Sequence, residues 1–201
     1  TLEKQEQNSI CREIGARTGG DIYIGVVGPV RSGKSTFIKR FMEQLVLPAM
    51  SGSAAARERA RDELPQSAAG RTIMTTEPKF IPETAVPLQL EGGGACRVRL
   101  IDCVGYMVEG AMGHEEDAKP RMVKSPWFEQ EVPFDLAAET GTRKVICEHS
   151  TIGIVVTTDG SVSDIPREGY ARTEKRIVEE LDALGKPYII LLNSTHPDAP
   201  E

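Results

Sequence analysis

The chain has 201 residues, 24 Lys and Arg against 30 Asp and Glu, a net charge of −6 and 39% hydrophobic residues. That is enough for one domain with a substantial core, and basic residues scattered among acids argue against a nucleic-acid or acidic-membrane surface. No apolar run approaches the roughly 20 residues that cross a bilayer. The polar start TLEKQEQNSICREIG lacks the apolar stretch of a signal peptide. Cys11, Cys96, Cys103 and Cys147 have no CxxC spacing and no paired His ligands, so free thiols in a reducing cytoplasm are expected rather than a zinc site.

The first segment, to about Gly20, carries a weak helical pattern and ends in a Gly19-Gly20 stop. The apolar run Ile22–Val27 follows, bounded by glycine, and predicts a strand buried on both faces, as in a parallel sheet covered by helices. After a glycine-rich turn, Phe37, Ile38, Phe41, Met42, Leu45 and Val46 fall at helical spacing, and Pro48 is expected to stop the helix. Residues 53–64 predict a second, charged and exposed helix. The threonine-rich, proline-interrupted stretch PQSAAGRTIMTTEPKFIP predicts a loop. VPLQL, the turn EGGGA and RVRLIDCVG then read as a hairpin, Val98 and Leu100 alternating with Arg97 and Arg99.

Tyr106 to Pro133 is long, polar and irregular and holds the single Trp127, which is the profile of a functional loop. Helical patterning returns at about Phe134–His149. A buried strand TIGIVVTTDG follows, then a helix through Ile177, Leu181 and Leu184 capped by Gly185, and the apolar strand KPYIILLNS. Strands alternating with helices predict an α/β fold: a mostly parallel sheet with right-handed crossovers and one antiparallel hairpin strand.

Gly28-Pro29-Val30-Arg31-Ser32-Gly33-Lys34-Ser35 fits the P-loop pattern G-x-x-x-x-G-K-S/T, here between a buried strand and an amphipathic helix. Its glycines let the backbone wrap a phosphate, and the N–H groups, continued by Thr36 in the helix start, favour negative charge. Lys34 is expected at the β- and γ-phosphates of a nucleoside triphosphate, and the Ser35 hydroxyl on Mg²⁺. Asp102-Cys103-Val104-Gly105 closes the hairpin strand as D-x-x-G. There Asp102 would hold Mg²⁺ through a water while the Gly105 N–H approaches the γ-phosphate; alone, an Asp-initiated turn explains the same four residues.

Thr72, Thr75 and Thr76 lie where a nucleotide switch closes over the γ-phosphate and metal, with Thr75 and Thr76 ahead of Thr72. Threonines also simply favour strands. Asn193-Ser194-Thr195-His196 stands where a GTPase of this order carries N-K-x-D. Losing the aspartate removes the acceptor for the guanine N1–H and 2-amino group, which makes adenine the expected base; Asn193 either contacts the nucleotide or only caps a strand end. Position 106 is tyrosine where small GTPases have the water-orienting glutamine, so slow hydrolysis is expected, or help from Thr75, Thr76 or a neighbouring subunit's arginine. His114, His149 and His196 lack metal-ligand spacing.

The stretches TGGDIYIGVVGPVRSGKSTFIKRFME, DELPQSAAGRTIMTTEPKFIP, LIDCVGY, GTRKVICEHSTIGIVVTTDG and GKPYIILLNS, spread over nearly the whole chain, resemble the N-terminal region of the stage IV sporulation protein A family. That resemblance implies a P-loop ATPase similar to translation-factor-related GTPases, which hydrolyses ATP and polymerises into the basement layer of the spore coat. By motif, Lys34, Thr75, Thr76 and Asp102 correspond to its catalytic residues, and Ser35, Thr75, Thr76 and Asp102 to its Mg²⁺ site. Trp127, within SPWFE, looks like a family feature.

The resemblance also implies a place in the mother-cell cytoplasm at the outer forespore membrane. Docking on a small membrane-bound amphipathic peptide would use domains beyond residues 1–201, and neither nucleic-acid binding nor a membrane span is expected. Family members are longer, so the chain reads as a fragment: the strand and helix expected after Pro200 are missing, which would leave Tyr188–Leu192 as an apolar edge. Two other functions fit the residues: a GTPase switch of the same fold, and an assembly scaffold stapled by nucleotide with negligible turnover.

Overall fold

The computed structural model describes residues 19–52, 54–65, 77–89, 95–109, 111, 115–116 and 119–198. The apolar run becomes β1 (Asp21–Val27), and the P-loop leads into α1 (Lys34–Phe41), which continues through a π-helical turn, Met42–Val46, into α2 (Leu47–Ala49). The helix therefore runs past Pro48 instead of stopping there. A proline lacks an N–H and collides with the carbonyl four residues back. The wide turn just before it changes that spacing, so the chain stays helical to Ala49 and only Met50, with ψ 108, leaves.

Next come α3 (Ala54–Asp62), β2 (Lys79–Gln89) and β3 (Ala95–Asp102). β2 begins at Lys79, inside the stretch that read as loop. Its prolines are tolerated because β2 is an edge strand and its pairing with β3 shifts register between Ile81 and Val86, where Pro82 sits. The long irregular region contains two small antiparallel pairs: β4 (Glu115–Glu116) with β5 (Lys119–Pro120), and β6 (Met122–Val123) with β7 (Val132–Pro133). The chain then forms α4 (Phe134–Lys144) with a π-helical turn Val145–His149, β8 (Ile152–Thr158), α5 (Arg167–Ala183) and β9 (Tyr188–Asn193).

The main sheet has the order β2-β3-β1-β8-β9. β1 pairs in parallel with β3 and β8, and β8 with β9, while β2–β3 is the single antiparallel pair in it among the described residues. Alternate residues of each strand serve two cores. On one face Ile22, Ile24, Val26, Val98, Leu100 and Val156 pack with Ile38 and Met42, and with Ala60 of α3. On the other, Val27, Ile101 and Val155 meet Val145, Ile146, Ile177 and Leu181 from α4's end and α5. Each fully buried Val, Leu or Ile contributes about 1.5–3 kcal/mol, so the central strands are fixed from both sides and their C-terminal ends are held rigid below the loops.

α5 ends as its sequence predicts: Gly185, at φ 59, carries the chain into β9, and the Lys186 N–H bonds the Leu181 carbonyl at 3.2 Å. β9 is the other edge of the sheet among the described residues. It is not buried as its apolar sequence suggests: Ile189, Ile190 and Leu192 are 56–61% exposed, the apolar edge foreseen above. No helix among the described residues is long and apolar enough to cross a membrane.

Candidate functional site

The loops after β1, β3, β8 and β9 meet at the C-terminal edge of the sheet, where open α/β sheets bind ligands. Gly28 leaves β1 at φ 145, and a Cβ there would lie 2.2 Å from the Val156 carbonyl oxygen of the neighbouring strand. The P-loop then turns through Arg31, held at φ 61 as the single non-glycine with positive φ among the described residues, to Gly33 at φ 98. A left-handed non-glycine costs about 1–3 kcal/mol and marks a loop whose shape is imposed by its surroundings. Ser32 is fully buried and its Oγ has no hydrogen-bond partner. Gly33 caps α1, whose first turn holds no acidic side chain, so its positive end faces the loop. Ser35 is half-buried there and Thr36 exposed.

Lys34 is 5% exposed, and its Nζ donates to the carbonyls of Pro29 (2.6 Å) and Gly28 (3.3 Å). Burial pulls its pKa down, opposed by the nearby Cys103 and Asp102. Asp102, at the end of β3, has its Oδ1 buried without a hydrogen-bond partner. Burial pushes its pKa up to about 6 against the pull of Lys34, the Cys103 N–H and Lys79. A buried ammonium thus lies within electrostatic reach of a half-buried carboxylate, with two buried oxygens (Asp102 Oδ1 and Ser32 Oγ) left for an outside partner. Among the described residues no group of His, Cys, Asp or Glu is clustered tightly enough to hold a metal by itself.

The D-x-x-G segment lies directly on the P-loop. The Tyr106 N–H bonds the Gly28 carbonyl at 3.1 Å and the Val30 N–H bonds the Tyr106 carbonyl at 2.9 Å. A Cβ at Gly105, which has φ 98, would sit 2.3 Å from the Gly28 oxygen and 2.5 Å from Lys34 Nζ. The Gly105 N–H is engaged: it donates to Thr142 Oγ1 (3.1 Å), whose hydroxyl donates to the Ala138 carbonyl of α4 (2.8 Å). For that N–H to reach a phosphate, this bond must first break.

Tyr106 is not placed to orient a water. Its side chain is 1% exposed and turned away from the P-loop, and its hydroxyl donates to Glu180 Oε2 on α5. The Arg176 guanidinium covers its ring at 4.8 Å, itself held by two bonds to Glu139 and one to Glu180. Burial first, and then the Glu180 bond, push the phenol far above its ordinary range. The phenol at position 106 is thus occupied by Glu180 and Arg176, in keeping with the expectation that it does not replace a water-orienting glutamine.

Asn193, at the end of β9, donates from Nδ2 to the Ser32 carbonyl at 3.2 Å, and a Cβ on Gly33 would fall 2.1 Å from that nitrogen. It therefore ties the β9 loop to the P-loop. The loop is further braced from Asp159, a residue sequence reasoning passed over. Ser194 Oγ donates to Asp159 Oδ2 (2.6 Å), and the Ser161 N–H and Oγ donate to Oδ1 (2.9 and 2.6 Å). Those hydroxyls accept in turn from the N–H groups of Thr195 and His196, each at 2.9 Å. The donors hold the Asp159 carboxyl far below its usual range, Ser161 and Ser194 contributing most. The signal available in sequence was the D-G-S turn at the end of a buried strand.

Thr72, Thr75 and Thr76 lie outside the described residues, as does His114. Trp127 packs under Lys144 of α4, whose Nζ lies 4.9 Å from the ring centre. Of the predicted site residues, the structure brings together Gly28 to Ser35, Asp102, Gly105 and Asn193, and adds Thr142 and Asp159.

The model of the family described as stage IV sporulation protein A, ATPase domain, matches residues 5–201. The stage IV sporulation protein A of Bacillus subtilis (strain 168) is 58% identical over 196 residues, covering 98% of this chain and 40% of the relative. That of Bacillus anthracis is 56% identical over the same shares. That of Clostridioides difficile (strain 630) is 53% identical over 194 residues, covering 96% of this chain and 39% of the relative. The chain thus spans about 40% of the length of these relatives. It belongs to the stage IV sporulation protein A family and carries that family's ATPase domain.

Proposed function

We propose that the chain is a Mg²⁺-dependent ATPase of P-loop fold whose turnover drives self-assembly of the basement layer of the spore coat. The observation that carries this reading is the buried Lys34, with the half-buried Asp102 in electrostatic reach, under a P-loop whose neighbouring polar atoms, Ser32 Oγ and Asp102 Oδ1, have no hydrogen-bond partner. The Ser35 hydroxyl and the Asp102 carboxylate fit the hard-oxygen preference of Mg²⁺ and would hold it, with Thr75 and Thr76 as further candidates. When bound, the ion supplies charge neutralisation at the β- and γ-phosphates.

The chain's own residues do the remainder. The P-loop N–H groups and the start of α1 wrap the phosphates. Lys34 Nζ exchanges its carbonyl partners for phosphate oxygens. A water oxygen forms a bond to the γ-phosphorus as the bond to the β–γ bridging oxygen breaks, giving ADP and inorganic phosphate, with one water proton released to solvent. Asn193 fixes the loop that faces the base, and a histidine at position 196 in place of aspartate favours adenine over guanine.

The self-assembled partner would be further copies of this chain in the mother-cell cytoplasm at the outer forespore membrane. Docking to a small membrane-bound amphipathic peptide would fall to the portion of the relatives this chain does not span. The test is steady-state turnover of wild type and Lys34→Ala with MgATP. Turnover lost in the variant supports the reading, and undiminished turnover overturns the site.

The locked Tyr106 supports a second reading, a scaffold in which bound nucleotide staples the assembly with negligible turnover. Light scattering separates the two. Equal assembly with ATP and a non-hydrolysable analogue favours the scaffold, and assembly with ATP alone favours the ATPase.

A further inference from the structure

A triphosphate that is cleaved without a water-orienting glutamine needs positive charge on the transferred phosphoryl group. Three cations on the loops and helices around the site, Lys34, Arg167 and Arg176, are already committed. Lys34 serves the Gly28 and Pro29 carbonyls from a buried position. Arg167 makes a two-bond pair with Glu174, and Arg176 is shared between Glu139, Glu180 and the Tyr106 ring. Arg31 differs from all of them. It lies in the P-loop itself, its side chain is exposed, and it makes no hydrogen bond or ion pair with any described residue.

Its backbone is also the one non-glycine there in the left-handed region, at φ 61. Glycine would adopt that conformation without strain. An arginine stands at a position where its backbone is a liability and its guanidinium has no partner among the described residues, and the inference runs from that outlier to a function. The adjacent contact, Asn193 Nδ2 to the Ser32 carbonyl, fixes the loop one residue away, so the chain presenting Arg31 is held still while the side chain remains free.

We propose that Arg31 is the site's own arginine finger: a catalytic residue whose guanidinium contacts the γ-phosphoryl oxygens and neutralises the charge that develops as the bond to the β–γ bridging oxygen breaks. The proposal rests on the ATPase reading above. It removes the need for an arginine from a neighbouring subunit. A planar guanidinium presents paired donors to phosphate oxygens, which a lysine ammonium does not.

The test compares Arg31→Gly, Arg31→Gln and Arg31→Lys with wild type and Lys34→Ala, measuring kcat with saturating MgATP, the Kd of a fluorescent ATP analogue, and the melting temperature. The expected result is a kcat loss on the order of 10²-fold or more in the glycine and glutamine variants, with nucleotide Kd within threefold of wild type. Lysine should restore only part of the rate, and the glycine variant should melt no lower than wild type, because it relieves the φ 61 strain. A glycine variant with kcat within threefold of wild type overturns the proposal, as does a loss confined to Kd. If wild type hydrolyses ATP and Lys34→Ala does not, a normal Arg31→Gly sinks this inference alone; if wild type itself fails to hydrolyse ATP, the ATPase reading falls first.

Discussion

Replacing Tyr106 with phenylalanine separates two roles that predict opposite results. In the structure the phenol is buried, its hydroxyl donates to Glu180, and its ring lies under Arg176. Tyr106→Phe keeps the ring, so no cavity opens and the stacking with Arg176 survives. What is lost is one hydrogen bond to a charged acceptor, worth about 1.5–3 kcal/mol. Glu180 keeps Arg176 at 3.2 Å, so its carboxylate is not left unpaired and the loss should fall at or just below the lower end of that range, about 1–2 kcal/mol. For a chain of this size that corresponds to a melting shift of roughly 2–8 °C. Urea denaturation and thermal melts read the stability, and MgATP turnover at saturation reads the chemistry. The structure requires a measurable loss of stability with kcat within twofold of wild type. A variant as stable as wild type whose kcat falls tenfold would refute this assignment and return Tyr106 to the reacting water.

Other consequences can be checked on the same preparations. Gly105→Ala forces a Cβ to within 2.3 Å of the Gly28 oxygen at φ 98, whereas Gly185→Ala meets open space at φ 59. The second should cost about 1 kcal/mol from backbone strain alone and the first at least twice that; equal losses in urea denaturation would contradict the close packing of the D-x-x-G segment on the P-loop. Asn193→Asp removes the donor to the Ser32 carbonyl and sets a carboxylate against it, so nucleotide affinity should weaken about tenfold by titration, and an unchanged Kd would exclude the tether. Burial raises the Cys103 thiol to about 11, while Cys147 is exposed. Alkylation at pH 8 followed by peptide mass mapping should therefore modify Cys147 well before Cys103, and the reverse order would contradict the burial of Cys103.

Local pattern carried most of the scaffold. The glycine-bounded apolar run gave β1, the G-x-x-x-x-G-K-S motif gave the loop and helix start, and alternation of strands with helices gave the parallel sheet. These features depend on residues close in sequence, where periodicity and turn chemistry are sufficient. What could not be read depends on distant pairings. The fate of Tyr106 is decided by Glu180, 74 positions away, and the base-side loop is braced by Asp159 acting on Ser194 across 35. Edge position, which pairing alone sets, explains why β2 accepts its prolines, and the exposure of the apolar β9 depends on what packs over its two faces, which its own residues do not specify. Pro48 was misread because a π-helical turn is not visible in apolar spacing.

The central claim is that the P-loop around Lys34 cleaves ATP in preference to GTP. It is tested most directly by measuring phosphate release from MgATP and MgGTP side by side, with wild type and Lys34→Ala. ATP turnover well above GTP turnover, abolished in the variant, is the predicted result. GTP preference, or a Lys34→Ala protein that hydrolyses ATP at the wild-type rate, would contradict it.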